Sequence, residues 1–398
     1  MEKGTIRHLS AGANQRGIRA YNARLILSMI QRHGGQSGSE LAKRAGLSPQ
    51  TVSVILRGLE ADGYVQRGLP ERGSVGKPRI PMHLRPDGAY SVGLTIGRRN
   101  ASLVLADFEG NVTQHRDINY AYPLPQEVIE FLKTGLGDFI GILGPRANRI
   151  AGIGVARPYE VWEWPEPIDA PPRDLQRWEQ IDLNAVIGDF TDLPVYPMND
   201  ATAACHAEHV FGRGREFRDY GYIFIGSFVG GGVVLNSTVY EGAFGNAGAF
   251  GQLPAVTPSG QETQLLNVAS LYLLQDALRA QGRDPTALRR HIDDWSDMAD
   301  AVETWIDTAA PHLARAALTL AAVIDFEAVL IDGACPAPVR ARLVDRVRQE
   351  MDSRDSRGLI RPRIEAGSIG PRARELGAAT GPFFARYLLN THLGIGAA

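Results

Sequence analysis

Apolar residues near the start of the chain recur at helical spacing in three short stretches, which predict three helices. Ser37 or Ser39 is expected to cap the second helix. Ser48 is a favoured N-cap and Pro49 a favoured first helical residue, so the third helix has a defined start. Two short strands around a glycine-rich loop follow. This order of elements predicts a winged helix-turn-helix domain over residues 15–85.

From residue 89 onward the pattern changes to apolar strand hairpins followed by helices, and this succession occurs twice. One of the expected helices covers residues 262–280. The repetition predicts an α/β protein with two lobes around a cleft. The first lobe is expected over residues 88–200 and the second over 201–373. A C-terminal helix over 374–393 is expected to pack back on the first lobe.

Charge is divided unevenly between these two parts. Residues 1–85 contain 14 Lys and Arg against 5 Asp and Glu, a net charge of +9, whereas the remainder contains 28 against 39, a net charge of −11. A small basic domain joined to an acidic body is typical of a module that binds a polyanion. Together with the winged helix-turn-helix pattern, this charge predicts double-stranded DNA as the partner of the basic domain.

The third helix and the loop after it supply the candidate DNA contacts. A helix that enters the major groove presents outward residues to base edges, where Gln pairs with adenine and Arg with guanine. A basic glycine-flanked loop suits phosphates or a narrow minor groove. The alternative is a helical module that docks another protein and carries a solvated basic loop. The predicted contacts are Ser48, Gln50, Thr51, Ser53, Arg57, Arg72, Lys77 and Arg79.

Several classes of protein are excluded by composition. The chain has only two cysteines, Cys205 and Cys335, which excludes a disulfide framework and any cysteine-rich zinc site. The first 12 residues lack the apolar core of a signal peptide. The longest charge-free stretch, from Tyr220 to Tyr240, is rich in glycine and is typical of strands rather than of a membrane helix. We expect a cytoplasmic protein without a membrane span.

Seven motifs in order carry a resemblance to a known family. The chain is similar to the winged-helix repressors of sugar metabolism in the ROK family (repressors, open reading frames, kinases) over about residues 15–390. The resemblance implies a two-lobed, actin-like or ribonuclease-H-like sugar kinase fold and a homodimer or tetramer. The motifs are SELAKRAGLSPQTVSVILRGLEADGYV, GSVGKPR, GIGVARP, MNDATAA, IGSFVGGGVVLN, GAFGNAGAFGQL and VIDFEAVLIDGA.

The phosphate-binding turns depart from the family's kinase pattern. The resemblance places Thr95 at an acidic position and Arg98 and Arg99 in a turn where glycine and threonine face the phosphates of ATP. Phe228 stands at a glycine of the second phosphate turn, and Asp332 stands near the usual adenosine site. These departures predict that the protein is not an enzyme and needs no cofactor. The alternative is an active ROK kinase fused to a DNA-binding domain; Arg98 and Arg99 could also bind another anion.

The sugar end of the pattern is preserved only at its Asn-Asp pair. Asn199 and Asp200 match the family's Asn-Asp, whose carboxylate accepts hydrogen bonds from sugar hydroxyls; the alternative is that Asp200 only caps a helix. Gln252 replaces the family's His and Ala249 its Glu. The family's zinc-ligand segment has no counterpart, so no structural zinc is expected.

An aromatic insertion follows GIGVARP and adds further candidate ligand contacts. Aromatic faces pack well on sugar rings. The alternative is a loop packed on the domain surface or at a subunit interface. The candidates here are Arg157, Glu160, Trp162 and Trp164.

Together the sequence predicts a transcriptional regulator, a repressor of sugar metabolism. It would bind operator DNA and respond to a sugar or sugar-derived effector held in a catalytically degenerate kinase-like domain. Control by a partner protein instead of a small molecule is a further alternative.

Overall fold

The computed structural model describes residues 15–71, 79–158, 171–257 and 259–389. The chain divides into two compact units. The first contains residues up to Gly88 together with Tyr387–Leu389, and the second contains Ala89–Arg386. Across the described ranges, no helix is both long enough and apolar enough to cross a membrane.

The first unit is a three-helix module with a small antiparallel sheet of strand order β1-β3-β2. Ser37 caps the second helix by accepting a hydrogen bond from the Glu40 N–H, and the Glu40 carboxylate accepts one from the Ser37 N–H in return. Val52, among other apolar residues, is buried in the module's core. The elements are α1 (Gln15–His33), β1 (Gln36–Ser37), α2 (Gly38–Ala45), α3 (Pro49–Ala61), β2 (Val65–Arg67) and β3 (Pro81–Leu84).

The second unit contains two five-stranded mixed sheets with the same topology. In each, an antiparallel hairpin-linked trio is extended by two parallel strands, so the sheet orders are β6-β5-β4-β7-β8 and β11-β10-β9-β14-β15. The strands are β4 (Tyr90–Ile96), β5 (Asn100–Asp107), β6 (Val112–Asn119), β7 (Ile150–Arg157), β8 (Val195–Asn199), β9 (Tyr220–Ile225), β10 (Val229–Leu235), β11 (Thr238–Tyr240), β14 (Ala328–Gly333) and β15 (Arg363–Ala366), with a separate hairpin of β12 (Pro254–Val256) and β13 (Glu262–Gln264).

Helices cover these sheets and complete two apolar cores. One core joins the first sheet to residues such as Leu132 and Trp178, and the other joins the second sheet to residues such as Trp305 and Val344. The helices are α4 (Pro125–Leu143), α5 (Pro172–Gln176), α6 (Leu183–Gly188), α7 (Asp200–Phe211), α8 (Leu266–Ala269), α9 (Leu271–Ala280), α10 (Ala287–Arg290), α11 (Ala299–Val323), α12 (Ala337–Asp352) and α13 (Ala373–Arg386).

Helix α13 lies very close to the first sheet and to α7. A Cβ atom at Gly93 of β4 would overlap the Glu375 carbonyl, and one at Gly154 of β7 would overlap the Ala378 carbonyl. A Cβ at Gly377 of α13 would overlap the Ala203 carbonyl of α7. Only glycine permits such approach of backbone to backbone. The start of α13 thereby lies beside the start of α7, where Arg374 contacts Asp200.

Three expectations about elements were wrong. Residues 262–280 are not one helix, because β13 occupies the start and Ser270 interrupts the rest, where its hydroxyl accepts a hydrogen bond from the Val229 N–H. Strand β6 was missed because it is an edge strand with mostly exposed residues. The C-terminal helix ends at Arg386: the carbonyl of Leu388 accepts from Arg24 and the N–H of Leu389 donates to Ser28, both in α1.

Candidate functional site

A cavity of about 330 Å³ opens within the second unit, where the carboxyl ends of strands from both sheets meet. The first sheet contributes the β4–β5 turn and the β8–α7 junction. The second sheet contributes the β9–β10 turn, and the first residues of α13 complete the wall. The lining residues are Gly97, Arg98, Asn100, Pro158, Asn199, Asp200, Ala201, Phe224, Ser227, Phe228, Val229, Gly230, Asn246, Gly248, Ala249, Gly251, Gln252, Leu266 and Arg374.

The Asn-Asp pair lies in this pocket, but its two side chains have different tasks. Asn199 is the N-cap of α7: its Oδ1 accepts hydrogen bonds from the N–H groups of Ala201 and Thr202, at 2.9 and 3.1 Å. Asp200 does not cap the helix, so that alternative was wrong. Its Oδ2 lies 3.5 Å from Nη1 of Arg374, and the two side chains are 20% and 18% exposed. The Asp200 carboxylate therefore faces the pocket beside a guanidinium.

The two turns that resemble phosphate-binding loops meet in a stack of side chains. The guanidinium carbon of Arg98 lies 3.7 Å from the ring centroid of Phe228, a cation–π contact. The Phe228 ring in turn packs on Tyr272 with 5.1 Å between centroids. Burial lowers the pKa of Arg98 to about 10, while Asp200 acts in the opposite direction. Arg98 therefore keeps its charge at neutral pH.

Backbone N–H groups in these turns donate to oxygen atoms of the chain itself. The Gly97 N–H donates to the Asn100 carbonyl at 2.8 Å. In the second turn, Gly226 donates to the Phe228 carbonyl at 3.3 Å and Val229 donates to the Ser270 hydroxyl at 2.9 Å. A phosphate-binding loop works by offering such N–H groups to phosphate oxygens. In this chain these three donors are already used.

Asp332 fills the third position that departs from the kinase pattern. It lies at the end of β14 with its side chain fully buried, and its Oδ1 lies 3.0 Å from Nη1 of Arg340. It also accepts hydrogen bonds from the N–H groups of Gly333 and Gly370 and from the Tyr222 hydroxyl. This carboxylate is consequently a closed part of the core rather than a ligand-facing group.

The other predicted ligand residues are only partly brought together. Gln252, in a short 3₁₀ turn Phe250–Gln252, lines the pocket and is exposed. Arg157 ends β7 in register with Asn199 but is not part of the pocket wall. Glu160, Trp162 and Trp164 lie outside the described residues.

The donor set does not fit the zinc site that the family resemblance implies. The hairpin of β12 and β13 stands in the corresponding segment and contains neither Cys nor His. Both cysteines are buried elsewhere. Among the residues that the structure describes, no group of three or more His, Cys, Asp or Glu side chains could hold a metal ion.

Helix α3 presents the predicted DNA-contacting side chains on one face. Val52 and Leu59 are buried, whereas the predicted contacts on the helix are exposed. Ser48 caps α3 by accepting a hydrogen bond from the Thr51 N–H at 3.1 Å. The exposed set comprises Ser48, Gln50, Thr51, Ser53 and Arg57.

The predicted contacts of the wing are less well defined by the structure. Arg79 is paired with Glu40 of α2, so its charge is partly neutralised within the module. Arg72 and Lys77 lie outside the described residues.

Sequence reasoning missed Arg374. It lines the pocket and contacts Asp200 from 174 positions away in the chain. Its only signal in the sequence was its place at the start of a helix expected to pack on the first lobe, a contact that no local pattern specifies. Asn246, in the loop after β11, also lines the pocket and was not predicted.

Comparisons with known proteins bear on the whole chain. The ROK family profile matches residues 91–380, and a winged helix-turn-helix DNA-binding profile matches residues 19–66. The uncharacterized protein y4fQ of Sinorhizobium fredii is 27% identical over 91% of this chain and 91% of its own length. The xylose repressor of Bacillus spizizenii is 25% identical over 61% of this chain and 62% of its own length.

Solved structures share the fold. A ROK family transcriptional regulator, a homologue of the E. coli MLC protein, matches with a TM-score of 0.64 at 21% identity and covers 92% of this chain and 96% of that one. A ROK family glucokinase from Streptomyces griseus matches with a TM-score of 0.54 at 19% identity over 73% of this chain and 98% of that one. The predicted resemblance, winged helix-turn-helix and sugar-kinase fold are confirmed.

Proposed function

The chain belongs to the ROK family, and on that premise we propose that it is a transcriptional repressor whose kinase-like unit binds a sugar-derived effector without phosphorylating it. The winged helix-turn-helix binds operator DNA through α3. Effector binding in the pocket beside Asp200 changes the affinity for DNA. By linkage, an effector that weakens DNA binding is itself bound more weakly by the DNA-bound protein.

The proposed loss of catalysis is supported by the two turns that resemble phosphate-binding loops. The N–H groups of Gly97, Gly226 and Val229 donate within the chain, and the Arg98–Phe228 stack lies between the two turns. Phosphoryl transfer depends on positioned N–H donors and metal ions that stabilise the transferring group. An acidic residue of the kinase pattern, which would help to organise a metal ion, is replaced by Thr95.

The active kinase remains the second candidate, because Asp200 lies in the pocket where the family's kinases place the base for the sugar hydroxyl. A coupled assay for ADP release with common hexoses separates the two. We expect turnover no higher than that of the Asp200→Asn variant. Turnover above that control would establish the kinase and overturn the loss of catalysis.

The regulatory half needs a DNA readout. Operator sequence is first obtained by in vitro selection of duplexes that bind the full-length protein. Fluorescence anisotropy with that duplex then measures release by neutral, acidic and phosphorylated monosaccharides. An effector at about 100 times its Kd should also stabilise the protein by about 2.7 kcal/mol in a thermal melt. If no sugar changes DNA affinity, while a partner protein captured without sugar does, small-molecule control is wrong.

A further inference from the structure

The winged helix-turn-helix module has a groove beside α3. The groove lies between the start of α2, one side of α3 and the end of β2. Its polar lining comprises Ser39, Ser53, Arg57, Glu60 and Arg67. Ser53 and Arg57 belong to the exposed face of α3 that the repressor function assigns to DNA. The carboxylate of Glu60 and the guanidinium of Arg67 therefore lie at the edge of that face.

Glu60 and Arg67 form a bidentate ion pair in this groove. Nε of Arg67 donates to Oε1 of Glu60 at 2.8 Å, and Nη2 donates to Oε2 at 3.0 Å. These hydrogen bonds hold the pKa of the Glu60 carboxyl below 4.5, so the carboxylate is charged at neutral pH. Paired oxygen atoms of a phosphate would bind the same edge of a guanidinium. In Arg67 a carboxylate already occupies that edge.

Folding stability gives little reason for a carboxylate at this position. Glu60 lies in the last turn of α3, where the negative end of the helix dipole disfavours an anion. An exposed ion pair adds little stability, because solvent and salt screen the attraction. The pair consequently matters more for what Arg67 can bind than for the fold of the module.

A second pair of the same kind joins α2 to the wing. The backbone of Arg79 pairs with that of Glu71, and the Arg79 guanidinium donates to the carboxylate of Glu40 near the start of α2. The Glu40 carboxylate also accepts a hydrogen bond from the Ser37 N–H at 2.9 Å, which fixes its position. Helices α2 and α3 thus each supply a carboxylate to an arginine at the wing end of the small sheet.

We propose that the carboxylates of Glu60 and Glu40 limit sequence-independent binding to DNA. They do so by holding Arg67 and Arg79 away from the phosphates. An arginine that neutralises a phosphate releases counterions and adds affinity for every sequence alike. A phosphate that approaches a paired arginine must displace a carboxylate whose charge has the same sign as its own. Base contacts from α3, which carry the sequence information, then supply a larger share of the affinity. This inference rests on the proposed DNA-binding function and specifies how its sequence-independent part is restrained.

Salt titrations of the full-length protein on a random duplex, read by fluorescence anisotropy, test the proposal. Glu60→Gln keeps the shape of the side chain but offers Arg67 only a neutral acceptor, which bonds about half as strongly as a carboxylate. We expect tighter binding, with a slope of log K against log[salt] that is steeper by about 0.9. The ratio of variant to parent affinity should therefore fall about threefold between about 50 and about 200 mM salt. Glu40→Gln should behave alike, since glutamine also serves in a capping box.

A double variant separates the release of an arginine from the loss of a negative charge. In an Arg67→Gln background, Glu60→Gln should no longer tighten binding, because no guanidinium is left to release. Asp87→Asn is the matched control: Asp87 binds Arg85 in the same bidentate way, at 2.6 and 3.1 Å, and neither residue lines the groove. This control should leave the salt slope unchanged. Thermal melts check that each variant folds.

Two results would overturn the inference. One is that the Glu60→Gln and Glu40→Gln variants keep the affinity and salt slope of the parent on random duplex; a variant that does so alone removes its own carboxylate from the proposal. The other is that the gain from Glu60→Gln survives in the Arg67→Gln background, which would show that the carboxylate repels DNA directly. Either result leaves the repressor function intact when the parent binds its selected operator. A parent protein that binds no duplex would overturn the repressor function, and this inference with it.

Discussion

The winged-helix module and the kinase-like body build their functional surfaces over different distances in sequence. In the module, the contacts that define α2 and α3 join Ser37 to Glu40 and Ser48 to Thr51, three residues apart. In the body, the pocket depends on Asp200 and Arg374, which are 174 positions apart. A surface made by one capped helix can change its binding without changing the fold. In a pocket made by distant segments, a substitution that moves one segment changes both ligand binding and the packing of the fold. Ligand affinity and stability should therefore change together in the body.

The largest expected effect breaks the close approach of α13 to α7. Gly377→Ala would place a methyl group against the Ala203 carbonyl, and the obstacle is backbone rather than a flexible side chain. We expect a loss of about 3 kcal/mol or more in the free energy of unfolding, at the upper end of what overpacking costs. Effector affinity should fall as well, because α13 places Arg374 beside Asp200. Urea unfolding and calorimetry measure the two effects.

Gly141→Ala in α4 is the matched control for that substitution. A Cβ atom at Gly141 would meet nothing within 4 Å, so alanine should stabilise the helix by about 0.5 to 1 kcal/mol. If Gly377→Ala is as well tolerated as Gly141→Ala, the packing of α13 on α7 is not what holds the pocket together.

The same difference in contact distance explains what the sequence could predict. The three helices of the module, the cap at Ser48 and the exposed face of α3 follow from local patterns, and the structure reproduces them. The Asn-Asp pair was located through its motif. Arg374 could not be predicted from the sequence as a pocket residue, since only the fold of the whole second unit brings α13 to α7. The Ser270 interruption escaped prediction for the same reason, because Ser270 accepts its hydrogen bond from the Val229 N–H of β10, which is distant in the sequence.

A smaller effect should appear in the module, and it should be confined to DNA. Gln50→Ala and Arg57→Ala remove exposed side chains from α3, so each should weaken operator binding by about 2 kcal/mol and leave the unfolding midpoint nearly unchanged. Anisotropy on operator and on random duplex measures the loss, which should be larger on operator.

Arg85→Ala controls for the loss of one positive charge, since Arg85 lies outside α3 and pairs with Asp87 at 2.6 Å. If the Gln50→Ala and Arg57→Ala variants bind operator and random duplex with the same affinities as the parent protein, α3 does not contact the bases. The module would then be a protein-docking domain, and the contrast between a locally built DNA surface and a distantly built pocket would lose its first half.

The smallest expected effect is a pH dependence of the body's stability that arises from one buried carboxyl group of α13. Glu375 follows Arg374 in α13, its side chain is buried, and its Oε2 has no hydrogen-bond partner among the described residues. Burial raises the pKa of this carboxyl above 4.5, and Asp117 acts in the same direction, while Arg374 and His115 oppose the shift. The protonated form is therefore favoured in the folded state more than in the unfolded state.

The sign of the resulting pH dependence follows from linkage. A carboxyl whose pKa is raised on folding contributes stability below its unfolded value of 4.5, and that contribution is lost as the pH rises through the higher folded value. Glu375→Gln keeps the shape but cannot ionise, so it should match the parent at about pH 4 and exceed it by about 1 kcal/mol at neutral pH. Urea unfolding across this range measures the difference, with Glu130→Gln on the exposed face of α4 as the control. A constant difference at every pH would mean that folding does not shift the pKa of the Glu375 carboxyl. The carboxyl at the start of α13 would then contribute nothing to the pH dependence of the body's stability.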